Sequence, residues 1–171
     1  MIENVRVKDR STSVNNAPFL LIETQSITLR IINSVFINVA CALKLGYSVS
    51  IDKFSWYHKK RGIFLDVLIK NSNFVQYDNL DKRHAVVVYL RQALTLFVKA
   101  DFIVNNCSFI NNSANHGSSF FIDIESYVPF NNAAPFVLII NSLFENSLAF
   151  KSGGALYIGS DIRCEIINSI F

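Results

Sequence analysis

The chain has 171 residues, of which 51% are apolar and 17% charged, with a formal net charge of +3. That much apolar material excludes a disordered chain and suffices for one domain or one stretch of solenoid. So small a charge gives no case for nucleic-acid binding, which asks for a clustered basic face.

The N-terminus, Met1-Ile2-Glu3-Asn4-Val5-Arg6, lacks the apolar stretch of a signal peptide. Either an intracellular protein or a piece of a longer chain is expected. Asn15 to Ile22 resembles Asn131 to Ile139, with Pro18 and Pro135 each opening an apolar run. Residues 1–26 are therefore expected to form a degenerate first coil or lead-in.

Beyond this point a tetrapeptide recurs. Asn33-Ser34-Val35-Phe36, Asn71-Ser72-Asn73-Phe74, Asn106-Cys107-Ser108-Phe109, Asn141-Ser142-Leu143-Phe144 and Asn168-Ser169-Ile170-Phe171 are five copies of Asn-Ser-x-Phe, with Cys once for Ser. Successive Asn positions lie 38, 35, 35 and 27 residues apart, and a period in this range marks a solenoid. An apolar strand is expected ahead of each Asn, at 27–32, 63–69, 102–105, 136–140 and 162–167. A further strand follows in the first four units, at 42–45, 85–90, 119–124 and 155–158. Between them, two places beyond the Phe, stand Asn38, Gln76, Asn111 and Asn146. Extra residues at 46–62, 91–101 and 125–135 read as side loops. Helix is a poor alternative, since the apolar residues alternate or run in short blocks rich in Ile, Val, Leu and Phe.

Three short strands per repeat predict an all-β fold, a right-handed parallel β-helix of about five coils spanning residues 1–171 as a single segment. Asn tolerates the left-handed backbone region, so one residue can turn the chain sharply between strands. Its side-chain amide can bond along a column of equivalents. The Phe three places later is expected to point inward and stack on its counterparts. Asn33, Asn71, Asn106, Asn141 and Asn168, with Phe36, Phe74, Phe109, Phe144 and Phe171, are thus read as a structural ladder. The chain ends on this motif without a polar cap, so it is expected to continue into further coils of a longer ladder.

No run approaches the roughly 18 uninterrupted apolar residues of a membrane span. Residues 85–104 come nearest, but Arg91, Gln92, Lys99 and Asp101 interrupt them. The basic clusters His58-Lys59-Lys60-Arg61 and Lys82-Arg83-His84 read as solvated loop charge. Cys41, Cys107 and Cys164 stand at different offsets from the repeat Asn, so buried free thiols are expected rather than a disulfide column. Two sequons, at Asn106 and Asn111, are what chance gives for this content of Asn, Ser and Thr.

Phe109-Ile-Asn-Asn-Ser-Ala-Asn-His-Gly117 and Phe144 to Ile158, with Gly153-Gly154-Ala155-Leu156, resemble the Phe-x-x-Asn and Gly-Gly-Ala-Ile motifs of polymorphic outer-membrane-protein repeats. Those repeats belong to the wider right-handed β-helix, pectin-lyase-like group. The resemblance runs from about Ile27 onward and is complete only in the Phe144–Ile158 unit. It implies a large surface or secreted protein acting in adhesion, with carbohydrate or other surface proteins as partners.

Related folds also include polysaccharide lyases and hydrolases. A glycosidase needs two carboxylates about 5–9.5 Å apart, and Asp123 and Glu125 are the best pair in the chain. His116 superficially matches a polygalacturonase Gly-His-Gly, but Asn115 breaks the motif and its partner elements are missing. Asp101, Asp123 and Asp161 could serve a calcium site only if side loops gathered them. Zinc spacing is missing, and Gly153-Gly154 reads as a tight turn. The expectation is a non-catalytic structural or adhesive segment without metal or cofactor. The alternatives are a carbohydrate-active enzyme with its site on side loops, or a degenerate gene fragment.

Overall fold

The computed structural model describes residues 1–8, 20–22, 26–39, 42–48, 63–77, 86–92, 97–126, 135–159 and 162–171. Among them there is no helix, hence none long and apolar enough to cross a membrane. The protein is all-β, and its strands pair in parallel.

Four sheets result. Sheet A comprises β1 (Ile2–Glu3), β4 (Ser26–Ile32), β7 (Ile63–Lys70), β10 (Phe97–Asn105), β14 (Phe136–Ile140) and β18 (Arg163–Ile167). Sheet B comprises β2 (Arg6–Lys8), β5 (Val35–Ile37), β8 (Asn73–Val75), β11 (Ser108–Ile110) and β15 (Leu143–Glu145). Sheet C holds β3 (Leu20–Ile22), β6 (Leu43–Ser48), β9 (Val86–Gln92), β13 (Phe120–Ser126) and β17 (Leu156–Ile158). The small sheet D pairs β12 (Ser113–His116) with β16 (Leu148–Ser152). The chain visits sheets A, B and C in turn and then returns to A. Each strand lies beside the one a full repeat earlier: Phe36 beside Phe74, Phe74 beside Phe109, Phe109 beside Phe144.

Side-chain alternation explains where the core sits. In β14, Val137 and Ile139 are buried while Phe136, Leu138 and Ile140 are partly exposed. The inward residues of sheet A, the Phe residues of sheet B, and Leu43, Leu45, Phe120 and Ile122 of sheet C form one contiguous cluster.

Three features differ from the sequence expectation. Strand β9 runs to Gln92 and β10 starts at Phe97, so much of 91–101 is strand rather than side loop. The reason is backbone pairing of Phe97 to Asp101 with β7, through a register shift after Phe97. Against the three strands expected per repeat, the segment 146–154 contains β16, so the last two rounds have a fourth strand that β12 and β16 supply. Finally, Asn4 is an additional left-handed corner, with φ of 55°. Val5 and Val7 replace Ser and Phe there, which hides the motif, yet Val7 pairs with Phe36 in register.

Candidate functional site

The corner between sheets A and B is built from the repeated Asn. Asn33, Asn71, Asn106, Asn141 and Asn168 have φ of 50°, 50°, 52°, 50° and 48°. Most other L-residues would sit there at a cost of roughly 1–2 kcal/mol. Asn71 Nδ2 donates to Asn33 Oδ1 at 3.1 Å, and Asn106 Nδ2 to Asn71 Oδ1 at 3.0 Å. Asn38, Asn111 and Asn146 form a second left-handed column, in which Asn146 Nδ2 donates to Asn111 Oδ1 at 3.1 Å.

Ser at the second motif position has a role that sequence reasoning missed. Its hydroxyl donates to the carbonyl two residues back: Ser34 to Ile32, Ser72 to Lys70 and Ser142 to Ile140, each at 2.9 Å. It also accepts the amide of the equivalent residue one repeat earlier. Ser34 N donates to Ser72 Oγ at 3.1 Å, Cys107 N to Ser142 Oγ at 3.2 Å and Ser142 N to Ser169 Oγ at 3.1 Å. The corner amide, buried beneath the turn, therefore keeps a partner in every such pair. Cys107 is the variant member. Its thiol donates to Asn105 O at 3.3 Å, and burial pushes it up to about 11, with backbone hydrogen bonds at Ser72 and Asn105 pulling the other way. Burial first, and then the charge of Glu165, also raises Cys164. Both are free thiols; Cys41 lies outside the described residues.

The rings form the third column. Phe36–Phe74, Phe74–Phe109, Phe109–Phe144 and Phe144–Phe171 stack at 4.9, 4.8, 5.0 and 4.7 Å, all within 8° of parallel. The first four are buried, whereas Phe171, with one ring neighbour among the described residues, is 59% exposed.

Along the Asn corner runs an open groove of about 440 Å³, with Asn71, Asn106, Asn141, Asn73 and Ser108 among its lining residues. Some of its polar groups are engaged with one another: Ser108 Oγ donates to Asn73 Oδ1 at 2.7 Å, and Asn106 Nδ2 to Asn71 Oδ1. Ladder and groove are thus one construction, and its bonds hold the coils together.

A different cluster lies on the outside of sheets C and D. Phe120 and Ile122 point inward and are buried, so Phe121 and Asp123 take the outward parity of β13. Phe121 pairs in register with Tyr157, and the two rings stack at 4.9 Å and 10°. His116 meets Tyr157 edge-on at 5.6 Å, and its Nδ1 lies 2.6 Å from Ser152 Oγ. The left-handed Gly117 (φ 46°) turns the chain from β12 into β13, where any Cβ would collide with the Phe120 carbonyl and the Tyr157 backbone. Asp123 folds over the next coil at Gly159, where a Cβ would stand 2.8 Å from its Oδ1. An aromatic platform edged by an imidazole, a hydroxyl and a carboxylate can bind a ligand that offers both an apolar face and polar groups.

The two carboxylates singled out from sequence lie on β13 two residues apart, Asp123 beside Tyr89 and Glu125 beside Arg91. The Glu125 side chain lies outside the described residues, as do Asp161 and both basic clusters. Among the described residues, no three or more of His, Cys, Asp and Glu gather as a metal site would require.

Compared with family models, curated proteins and solved structures, the chain matches none of them.

Proposed function

We propose that the chain is a segment of a right-handed parallel β-helix and that it serves as a non-catalytic structural or adhesive scaffold within a larger surface protein. The cyclic passage through sheets A, B and C, one strand per sheet per round, supports the helical path. The right hand follows from the general handedness of parallel crossover connections. One observation carries the scaffold reading. The repeated Asn, Ser and Phe direct their hydrogen bonds and ring faces at the same residues of neighbouring coils. A motif whose chemistry is consumed by stacking is architecture. Likeness to polymorphic outer-membrane-protein repeats, at Phe109–Gly117 and Phe144–Ile158, adds the adhesive role and the surface location.

A second reading, a carbohydrate-active β-helix, is favoured by the outward Phe121–Tyr157 pair beside His116, Ser152 and Asp123. Incubation with pectate, xylan and chitin, following new reducing ends and unsaturated products, separates the two. The scaffold reading expects no product above a heat-denatured control, and beads coated with the folded chain to adhere to cells. Product formation lost in both Asp123→Asn and His116→Ala would instead establish the enzyme.

A further inference from the structure

The outer face of sheet A carries a central apolar row, flanked by Asp66, Asp101, Lys70 and Arg163, that the stacking of coils does not explain. Inward positions of this sheet, such as Leu29, Val67, Val104 and Ile139, already fill the core. The alternate positions include Leu68, Ile103 and Leu138, all only partly buried, with Phe136 and Ile140 beside them. Parallel strands that are apolar at both parities are typical of sheets covered on both faces. Register arranges these residues in a row across five strands. Arg30 lies beside Leu68, Leu68 beside Ile103, Ile103 beside Leu138, and Leu138 beside Glu165.

We propose that this face is a homodimer interface, on which a second copy of the chain packs face to face about a twofold axis lying along the strands at Ile103. Such a rotation reverses the order of strands and keeps the position along each one. The row then becomes its own complement: Ile103 meets its mate, Leu68 meets Leu138, and Arg30 meets Glu165 at both ends. A cation and an anion at opposite ends of an apolar row are what the chain itself offers in reverse, which is why a second copy is the occupant. Arg30 is already fixed at its end of the row, with Nη1 3.0 Å from Asp66 Oδ1 and Nη2 3.0 Å from Asp66 Oδ2. Sheets pack about 10 Å apart with strands crossing near 30°, a span that Arg and Glu side chains bridge. Asp101 opposes the pairing, because it lies two residues before Ile103 and the two copies meet beside the axis. Five strands by three outward residues cover roughly 20 by 14 Å, well under the about 800 Å² per partner of a standard interface. The dimer is therefore weak and concentration-dependent.

Sedimentation velocity of the whole chain over a hundredfold concentration range tests this. The wild type is expected to shift from monomer to dimer, Ile103→Lys to stay monomeric, and Asp101→Asn to dimerise at least threefold more tightly. Arg30→Glu and Glu165→Arg should each weaken the homodimer at least tenfold, while an equimolar mixture of the two variants forms a heterodimer with both charge pairs restored. Because Arg30→Glu places an acid against Asp66 and could unfold the chain, Leu68→Glu mixed with Leu138→Lys gives an independent pair with the same expected rescue. A wild type that stays monomeric throughout, a dimer indifferent to Ile103→Lys, or mixtures no tighter than their components would overturn the proposal.

Discussion

Phe109 offers the sharpest energetic test of the stacked core. Its ring is fully buried, lies 4.8 Å from Phe74 and 5.0 Å from Phe144, and meets the edge of Phe120 at 4.6 Å. Truncating a buried Phe to Ala costs about 3–5 kcal/mol, the upper values applying where the surroundings cannot collapse. Here they cannot, because backbone bonds on both sides, Ser108 N to Ser72 O at 3.1 Å and Leu143 N to Cys107 O at 2.9 Å, fix the coil spacing. Ring contacts add about 0.5–1.5 kcal/mol each, with partial overlap. Phe109→Ala is therefore expected to cost about 4–5 kcal/mol. Phe171 has the same motif position, but among the described residues it stacks on Phe144 alone and is 59% exposed, so Phe171→Ala should cost about 1 kcal/mol. Phe109→Leu, which keeps most of the volume, should fall between them. Urea unfolding at low temperature measures all three. If the Phe109 and Phe171 truncations cost the same within about 1 kcal/mol, burial in a shared column is not what the motif Phe provides.

Three further outcomes are expected. Asn106→Ala should cost about 1–2 kcal/mol, since it puts a Cβ residue without a local hydrogen bond at φ of 52°; Asn106→Gly should cost markedly less, and denaturation midpoints compare them. Cys107→Ser restores a hydroxyl to the serine column and should stabilise by about 0.5–1.5 kcal/mol. With its thiol raised from 9.0 to about 11 in the folded chain, the unfolded state releases its proton first. The Cys107 contribution is then complete below about pH 9 and lost progressively between about 9 and 11, a loss the Ser variant should not show. Gly117→Ala meets backbone atoms at positive φ whereas Gly154→Ala meets open space, so thermal unfolding should show a loss above about 2 kcal/mol for the first and almost none for the second.

The Asn and Phe columns were legible in the sequence because each depends on one residue type at one offset. Asn is among the few residues that enter the left-handed region readily, and Phe at a fixed distance from a turn keeps its parity. The serine column was not legible. Its meaning is a hydroxyl accepting an amide from one repeat earlier, as Ser142 Oγ accepts the Cys107 amide 35 residues away, a relation that exists only once coils are stacked. Strands β12 and β16 escaped notice because Ser113-Ala114-Asn115-His116 carries no apolar pattern; its pairing rests on backbone register, with a shift between Ala114 and His116. That same register brings His116 to Ser152, so the outward cluster could not be read from spacing. Asn4 was missed because two Val residues replaced the Ser and Phe on which recognition depended. Asp123 and Glu125 share β13, which runs to Ser126 and so into the expected side loop 125–135, but the acid nearest a ligand platform is defined by Gly159 of the next coil, again a relation between repeats.

Parallel stacking of repeats is the claim on which everything else depends, and scalar couplings across hydrogen bonds test it directly by NMR. The structure predicts that the Ser108 nitrogen couples to the Ser72 carbonyl carbon, Leu143 to Cys107, and Asn106 to Ile140, matching backbone bonds of 3.1, 2.9 and 3.0 Å. Couplings that instead join sequence-adjacent strands in antiparallel hairpins, such as β13 with β14, would contradict the stack and with it the ladder.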